Sequence, residues 1–232
     1  MSYNGLKLDD IDSEIVGILN CLIAENGIKI YVEPYIGFGD IIGNIQCESK
    51  YGYDSNKYII ELMNYLSNRG SIPDNINLGA FEDAKAHYQC KSKAYENWYY
   101  GLLGFMLSGS DETKPFNSRY ITQDALNDAY SKTRDNIENH RSYIDNTKFT
   151  IGKIEDICDN LKDALIYCKI PKYKRFKADK FLEKMLKLSE NNIVILKTDA
   201  TYSEFELIWE EYSDIKQLGR QLTKLYRIEN KN

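Results

Sequence analysis

The sequence is poor in several features that would assign a class at once. It has only 2 histidines, and its 5 cysteines include no CxxC pair. His87 and His140 stand apart from any paired cysteines, which argues against a zinc site. Cys21, Cys47, Cys90, Cys158 and Cys168 are an odd number in a long chain and read as reduced core residues. Positive charge is not in excess: 30 basic residues face 35 acidic ones, for a formal net charge of -5. That is the wrong sign for a protein whose main task is gripping phosphates, so any nucleic-acid contact has to come from a local patch. No apolar run approaches the roughly 18 residues of a membrane-spanning helix. The opening MSYNGLKLDDIDSEIVG lacks the basic-then-apolar order of a signal peptide. The expectation is a soluble, intracellular, cytoplasmic protein with no membrane partner. Internal repeats, low-complexity tracts and Pro/Gly-rich linkers are absent too, which removes solenoids and beaded multidomain chains. The 19 tyrosines are spread along the chain and carry no function by themselves.

What is present is enough for a core. A chain of 232 residues with 43% hydrophobic residues suits one compact α/β domain with a helical insertion. From Asp10 to Ala24, Ile11, Ile15, Ile18 and Leu22 recur at helical spacing, with Asp10 and Ser13 as capping candidates. IKIYVEP reads as a buried strand, DIIGNIQC as a helix start, SKYGYD (Ser49 to Asp54) as a second strand, and SNKYIIELMNYLSNRG as an amphipathic helix stopped at Gly70. Late in the chain KDALIYC, ADKFLEKMLKLSENN and IVILKTD spell strand, helix and strand, a parallel crossover. SEFELIWEEY, beyond them, is short and amphipathic. Between the two ends, about Ala80 to Asp145, helical periodicity is broken at GSDETKP. The expected division is residues 1–79 and 146–232 as two parts of one core, with 80–145 as the insertion.

IYVEPYIGFGD, Ile30 to Asp40, is the most informative stretch. A strand that ends in Glu-Pro and runs through Gly37 and Gly39 into a helix brings backbone close to a ligand at the carboxyl edge of a parallel sheet. Asp54 ends the next strand about 20 positions beyond Glu33, where a carboxylate accepts hydrogen bonds from ribose hydroxyls. Taken alone the pattern is weak. An ordinary βα turn, with glycines that only relieve strain, reads equally well.

YVEPYIGFGD followed by YGYDSNKYIIELMNYL is similar to the first motif of the Dam-like DNA adenine-N6 methyltransferases. In that family an EPF-x-GGG turn holds S-adenosylmethionine, and a D-x-N pair after strand two begins the next helix. Three further pieces fall in the family's order. YNGLK resembles its N-terminal cofactor segment, LIYCKIPKYK occupies the place of its IYC-DPPY strand end, and SENNIVILKTDATYSEFELIWE with TKLYRIEN resembles the end of the small phage-type members. The resemblance implies an α/β fold, a Rossmann-like S-adenosylmethionine-dependent methyltransferase sheet with a helical insertion. It also implies a cofactor set of Tyr3, Lys7, Glu33, Pro34, Tyr35, Gly37, Gly39 and Asp54. Glu33 and Gly37 would shape the floor beside the methionine portion, Tyr35 would pack on the cofactor, Asp54 would bind the ribose, and Tyr3 and Lys7 would close over the carboxylate.

The catalytic position departs from that pattern. Where the family has DPPY, this chain has Lys169, Ile170, Pro171, Lys172 and Tyr173. In relatives the acid accepts a hydrogen bond from the target amino group of a flipped adenine. A protonated lysine has three donors and no acceptor, so Lys169 inverts that chemistry. The acid that relatives place before an aromatic to read the cofactor adenine is replaced by Lys153-Ile154, with Glu155 as a substitute. In the insertion, Asp111 and Glu112 mark a loop tip, and Lys91, Lys93, Arg119, Lys132, Arg134 and Arg141 alternate with acids as on a solvated helical face. Lys169, Lys172, Lys174, Arg175, Lys177 and Lys180 form a short cationic run suited to a phosphate backbone or left by a relaxed loop. Two readings remain open. One is a catalytically degenerate homologue that binds DNA or partners an active methyltransferase or another protein subunit; the other is an active adenine methyltransferase with a rearranged acceptor.

Overall fold

The computed structural model describes residues 8–107, 114–169, 178–203, 205–215 and 219–229. They fall into two compact units. One comprises Gly37–Asn44 and Asn56–Ile151; the other comprises Leu8–Ile36, Ile45–Ser55 and the chain from Gly152 onward.

The second unit is built on a sheet. Its strands are β1 (Ile30–Pro34), β2 (Ser49–Asp54), β4 (Ala164–Lys169), β5 (Ile193–Thr198), β6 (Glu206–Ile215) and β7 (Gly219–Ile228), in the order β2-β1-β4-β5-β7-β6. Strands β2, β1, β4 and β5 are parallel, whereas β7 runs antiparallel to both β5 and β6. This is the α/β, Rossmann-like sheet expected from the sequence, wound outward in both directions from β1 and β4. Most of SEFELIWEEY is drawn into β6, the strand at the end of the sheet order.

Register assigns each face. Val32, Ile166, Cys168, Val194 and Leu196 share one, and helix α7 (Ala178–Ser189) covers them through Phe181, Met185 and Leu188. Tyr31, Glu33, Leu165, Tyr167, Lys169, Ile195 and Lys197 share the other. Helix α1 (Asp10–Asn26) lies on that second face, as the ion pair between Lys197 Nζ and Asp12 Oδ1 at 2.5 Å requires. The N-cap of α1 is Asp9, whose carboxylate accepts from the Asp12 N–H at 2.7 Å, one residue before Asp10 and four before Ser13, the expected candidates. The buried stripe is also rotated, to Ile15, Leu19 and Ile23 with Val16, while Ile11, Ile18 and Leu22 flank it. Both spacings are helical, and only the position of the sheet decides between them.

The first unit is mostly helical: α2 (Asp40–Gly43), α3 (Lys57–Ser67), α4 (Leu78–Gln89), α5 (Asn97–Tyr100), a π-helical segment Gly101–Met106, α6 (Gln123–Ile144) and strand β3 (Thr147–Ile151). Asn56, Asn77 and Thr122 cap α3, α4 and α6 with side-chain oxygens, satisfying amides that a helix start leaves unpaired. Helix α3 ends before its expected glycine stop. Arg69 takes the left-handed conformation at φ 58°, and Gly70 is needed because a Cβ there would lie 2.5 Å from the Tyr65 ring.

The cysteines correct an expectation. All five are free thiols, and only Cys168 is buried; Cys21, Cys90 and Cys158 are exposed and Cys47 is intermediate. Each of the exposed three sits outside the apolar stripe of its element or in a connection, so small size and apolar character were not enough to draw it inward. Among the described residues no helix is long and apolar enough to cross a membrane, and no group of three or more His, Cys, Asp or Glu could hold a metal ion.

Candidate functional site

In the second unit the chain leaves β1 toward β2 and leaves β4 toward β5, so the winding reverses between β1 and β4. At such a point the connections diverge and leave a crevice outside the carboxyl ends of the strands, where open α/β sheets bind ligands. Glu33 and Pro34 end β1 there and Tyr35 follows them, Asp54 ends β2, and Lys169 is the last residue of β4. The expected residues of this unit are thus gathered along one edge.

Glu33 and Asp54 are only 4% and 5% exposed. The Tyr31 hydroxyl donates to Glu33 Oε2 at 2.9 Å, and the Asp54 carbonyl accepts from the Gly152 N–H at 2.9 Å. Burial, reinforced by the Glu33 carboxylate, pushes the Tyr31 phenol and the Cys168 thiol well above their ordinary values. The Tyr167 phenol is raised for the same reasons, with Asp12 adding to Glu33. Its hydroxyl is buried and has no hydrogen-bond partner among the described residues. A buried donor left in that state costs about 1–3 kcal/mol, and such groups are few in native structures.

Backbone strain marks the same edge. Tyr35 has φ 63°, the left-handed region that a bulky aromatic rarely adopts, at a cost of about 1–2 kcal/mol. The conformation is held by the Ile36 N–H donating to the Tyr53 carbonyl at 3.0 Å and by packing of the Tyr35 ring, whose centroid lies 6.3 Å from that of Phe181. Tyr35 therefore belongs to the apolar cluster under α7. In the first unit, Gly37 and Gly39 continue the turn at φ 54° and 77°. A Cβ on Gly39 would come within 2.9 Å of Met63 Cε, so that glycine meets both a conformational and a packing requirement.

Lys169 is exposed, and its neighbour across the β4–β5 ladder is Lys197. Lys197 is neutralised by Asp12. After Gly152, Lys153 is exposed, Ile154 is fully buried and Glu155 is exposed. Asp156 accepts from the Lys153 N–H at 2.8 Å, making it a local cap. Tyr3, Lys7, Asp111, Glu112, Ile170, Pro171, Lys172, Tyr173, Lys174, Arg175 and Lys177 lie outside the described residues. Lys180 is exposed in the first turn of α7. In the insertion, Arg134 pairs with Asp74 at 3.5 Å and Arg141 with Glu138 at 3.1 Å.

Sequence reasoning missed Tyr31, Tyr167 and the Asp12–Lys197 pair. The signal for Tyr167 was available. Period-two alternation places it on the face of Glu33 once β1 and β4 are neighbours, but that neighbourhood is not local information.

The donors and acceptors present suit S-adenosylmethionine. Two buried carboxylates can accept from an ammonium and from ribose hydroxyls, and the Tyr167 hydroxyl, without an acceptor among the described residues, could donate to a carboxylate ligand. No protein-family profile matches the chain, nor does any curated protein. Among solved structures it is similar to the rRNA methyltransferase aviRa from Streptomyces viridochromogenes, at 10% identity and TM-score 0.47, over 94% of this chain and 83% of that one. It is also similar to the N-methyltransferase NodS from Bradyrhizobium japonicum WM9, at 9% identity and TM-score 0.46, over 96% of this chain and 100% of that one. An S-adenosylmethionine-dependent methyltransferase from Clostridium acetobutylicum ATCC 824 follows at 10% identity and TM-score 0.35, over 97% and 77%.

Proposed function

We propose that the chain is a homologue of the Dam-like DNA adenine-N6 methyltransferases that holds S-adenosylmethionine at the carboxyl edge of β1 and β2, has lost methyl transfer, and serves as a binding or partner subunit. The supporting observation is Lys169, an exposed lysine at the end of β4 beside the point where the winding reverses. A base whose amino group must be held by an acceptor meets three donors there instead. When bound, the cofactor would supply an electrophilic methyl group on a sulfonium. Glu33 and Asp54 would accept hydrogen bonds from its ammonium and ribose, the Tyr167 hydroxyl would donate to its carboxylate, and Tyr3 and Lys7 would close that end. Pro34, Gly37 and Gly39 would shape the turn around it. Residues 80–145 would stand where relatives recognise DNA.

Calorimetry on the full chain is the test. S-adenosylhomocysteine, whose sulfur is neutral, is expected to bind more tightly than S-adenosylmethionine, because a lysine near the sulfur repels only the sulfonium. Lys169→Asp is expected to raise the affinity for S-adenosylmethionine, whereas Lys180→Asp, with the same change of net charge, is not. Transfer of labelled methyl groups to DNA is expected to be undetectable, since loss of one positioned electrostatic partner alone costs a factor of about 10² to 10³. Methylation at the rate of an ordinary enzyme would establish a rearranged acceptor. Equal affinity changes in the two lysine variants would remove Lys169 from the site.

A further inference from the structure

The first unit contains a cavity of about 840 Å³ whose walls come from the start of α3, the end of α4, α5 and the connection between the last two. That is the size range of small-molecule sites. Its aromatic lining includes Tyr58, Tyr88 and Trp98. The rings of Tyr58 and Tyr88 stand 5.3 Å apart at 60°, and Trp98 is fixed flat against Tyr65 at 3.9 Å and 3°. Its indole N–H donates to Glu96 Oε2 at 2.6 Å.

Lys57, Lys91 and Lys93 also line the cavity. None of the three has an ion pair among the described residues, although Lys57 sits 4.8 Å over the Tyr58 ring. The sequence placed Lys91 and Lys93 on a solvated helical face. They instead follow the end of α4, and Lys91 is held at φ 55° by its own N–H donating to the Tyr88 carbonyl at 3.0 Å and the Ser92 N–H donating to the His87 carbonyl at 2.9 Å. A lysine occupies the left-handed position where a helix end ordinarily takes glycine. The turn fixes its backbone at the cavity.

Aromatic faces stack on planar bases irrespective of their identity, and ammonium groups outside ion pairs hold phosphate; the three lysines share the lining with Glu61 and Glu96, which leaves an excess of positive charge there. We propose that this cavity binds a nucleotide unit, with the base stacked on an aromatic face of its lining and the phosphate on Lys91 and Lys93. This is independent of the reading of the sheet edge. The unit arrives either as a free mononucleotide or as one residue of a single strand.

Trp98 is one of 2 tryptophans in the chain, so in the full-length protein carrying Trp209→Phe its fluorescence reports this cavity. Adenosine 5′-monophosphate and a short single-stranded oligoadenylate are titrated separately, with adenosine as the uncharged control. Saturable quenching by the mononucleotide or the oligonucleotide is expected, and whichever binds tighter identifies the source. Adenosine is expected to bind about tenfold more weakly or worse. Lys91→Glu with Lys93→Glu is expected to weaken the charged ligand about a hundredfold. Asp54→Ala, at the sheet edge, is expected to leave the quenching unchanged. The assignment is overturned by any of three results: no quenching by either phosphate-bearing probe at millimolar concentration, the same affinity in the folded double-lysine variant, or loss of the signal in Asp54→Ala.

Discussion

Tyr95 shows how a single contact sets a measurable property of one side chain. Its hydroxyl donates to Asp83 Oδ2 at 2.5 Å, and that hydrogen bond is the first cause holding the phenol up at about 12. Tyr130 reaches about 12 as well, there chiefly through burial. A phenol whose proton is held more tightly in the folded state gives stability that is complete below the unfolded value of roughly 10 and is lost as pH climbs toward the folded one. Alkaline titration followed by tyrosinate absorbance is therefore expected to show a late-ionising class at about 12. Asp83→Asn is expected to move Tyr95 down toward its ordinary range while leaving Tyr130 in place; an unmoved late class would show that the carboxylate is not the cause. Tyr35 belongs to the same scale. A left-handed aromatic is retained only where the surroundings over-determine it, and here the Tyr53 carbonyl and the Phe181 ring do so.

At the level of elements, α1 and α7 are held by different kinds of energy. Asp9 supplies α1 with a capping carboxylate, worth about 1 kcal/mol. Met185, fully buried under the sheet, represents the apolar term, and truncation to alanine costs about 2–5 kcal/mol. Urea unfolding is expected to rank Met185→Ala well below Asp9→Ala in stability, and the reverse order would mean that α7 is not seated on β4 and β5. The elements themselves were legible in the sequence. The second strand has the expected ends, Ser49 and Asp54, and α7 follows its apolar spacing. What local pattern could not supply was the rotation of α1 about its axis, the burial of thiols and the strand nature of SEFELIWEEY, since each depends on which surface a distant segment presents. The site divides along the same line. Glu33, the glycine turn and Asp54 were visible as a motif, whereas Tyr31 and Tyr167 act through strand adjacency, and the aromatic cavity draws on α3, α4 and α5 at once.

For the whole molecule, the decisive datum is that β1 is hydrogen-bonded both to β2, soon after it in the chain, and to β4, which arrives only after the entire helical unit: Ile30 stands beside Ser49 on one side and Ala164 on the other. Closing so long a loop is entropically costly before any contact rewards it, and such pairings are slow. The hairpin of β6 and β7 needs no such closure. Amide protons of that hairpin are expected to become protected early during refolding, and those of β1 and β4 late and together, as pulsed hydrogen exchange would resolve. Protection of β1 ahead of β4 would contradict this order. On the ribosome the same geometry leaves one edge of β1 open while more than half of the chain is still being made, with Tyr31 and Val32 awaiting partners that have not been translated. The winding that creates a crevice between two strands thus also sets the interval during which the nascent protein depends on whatever shields an unpaired strand.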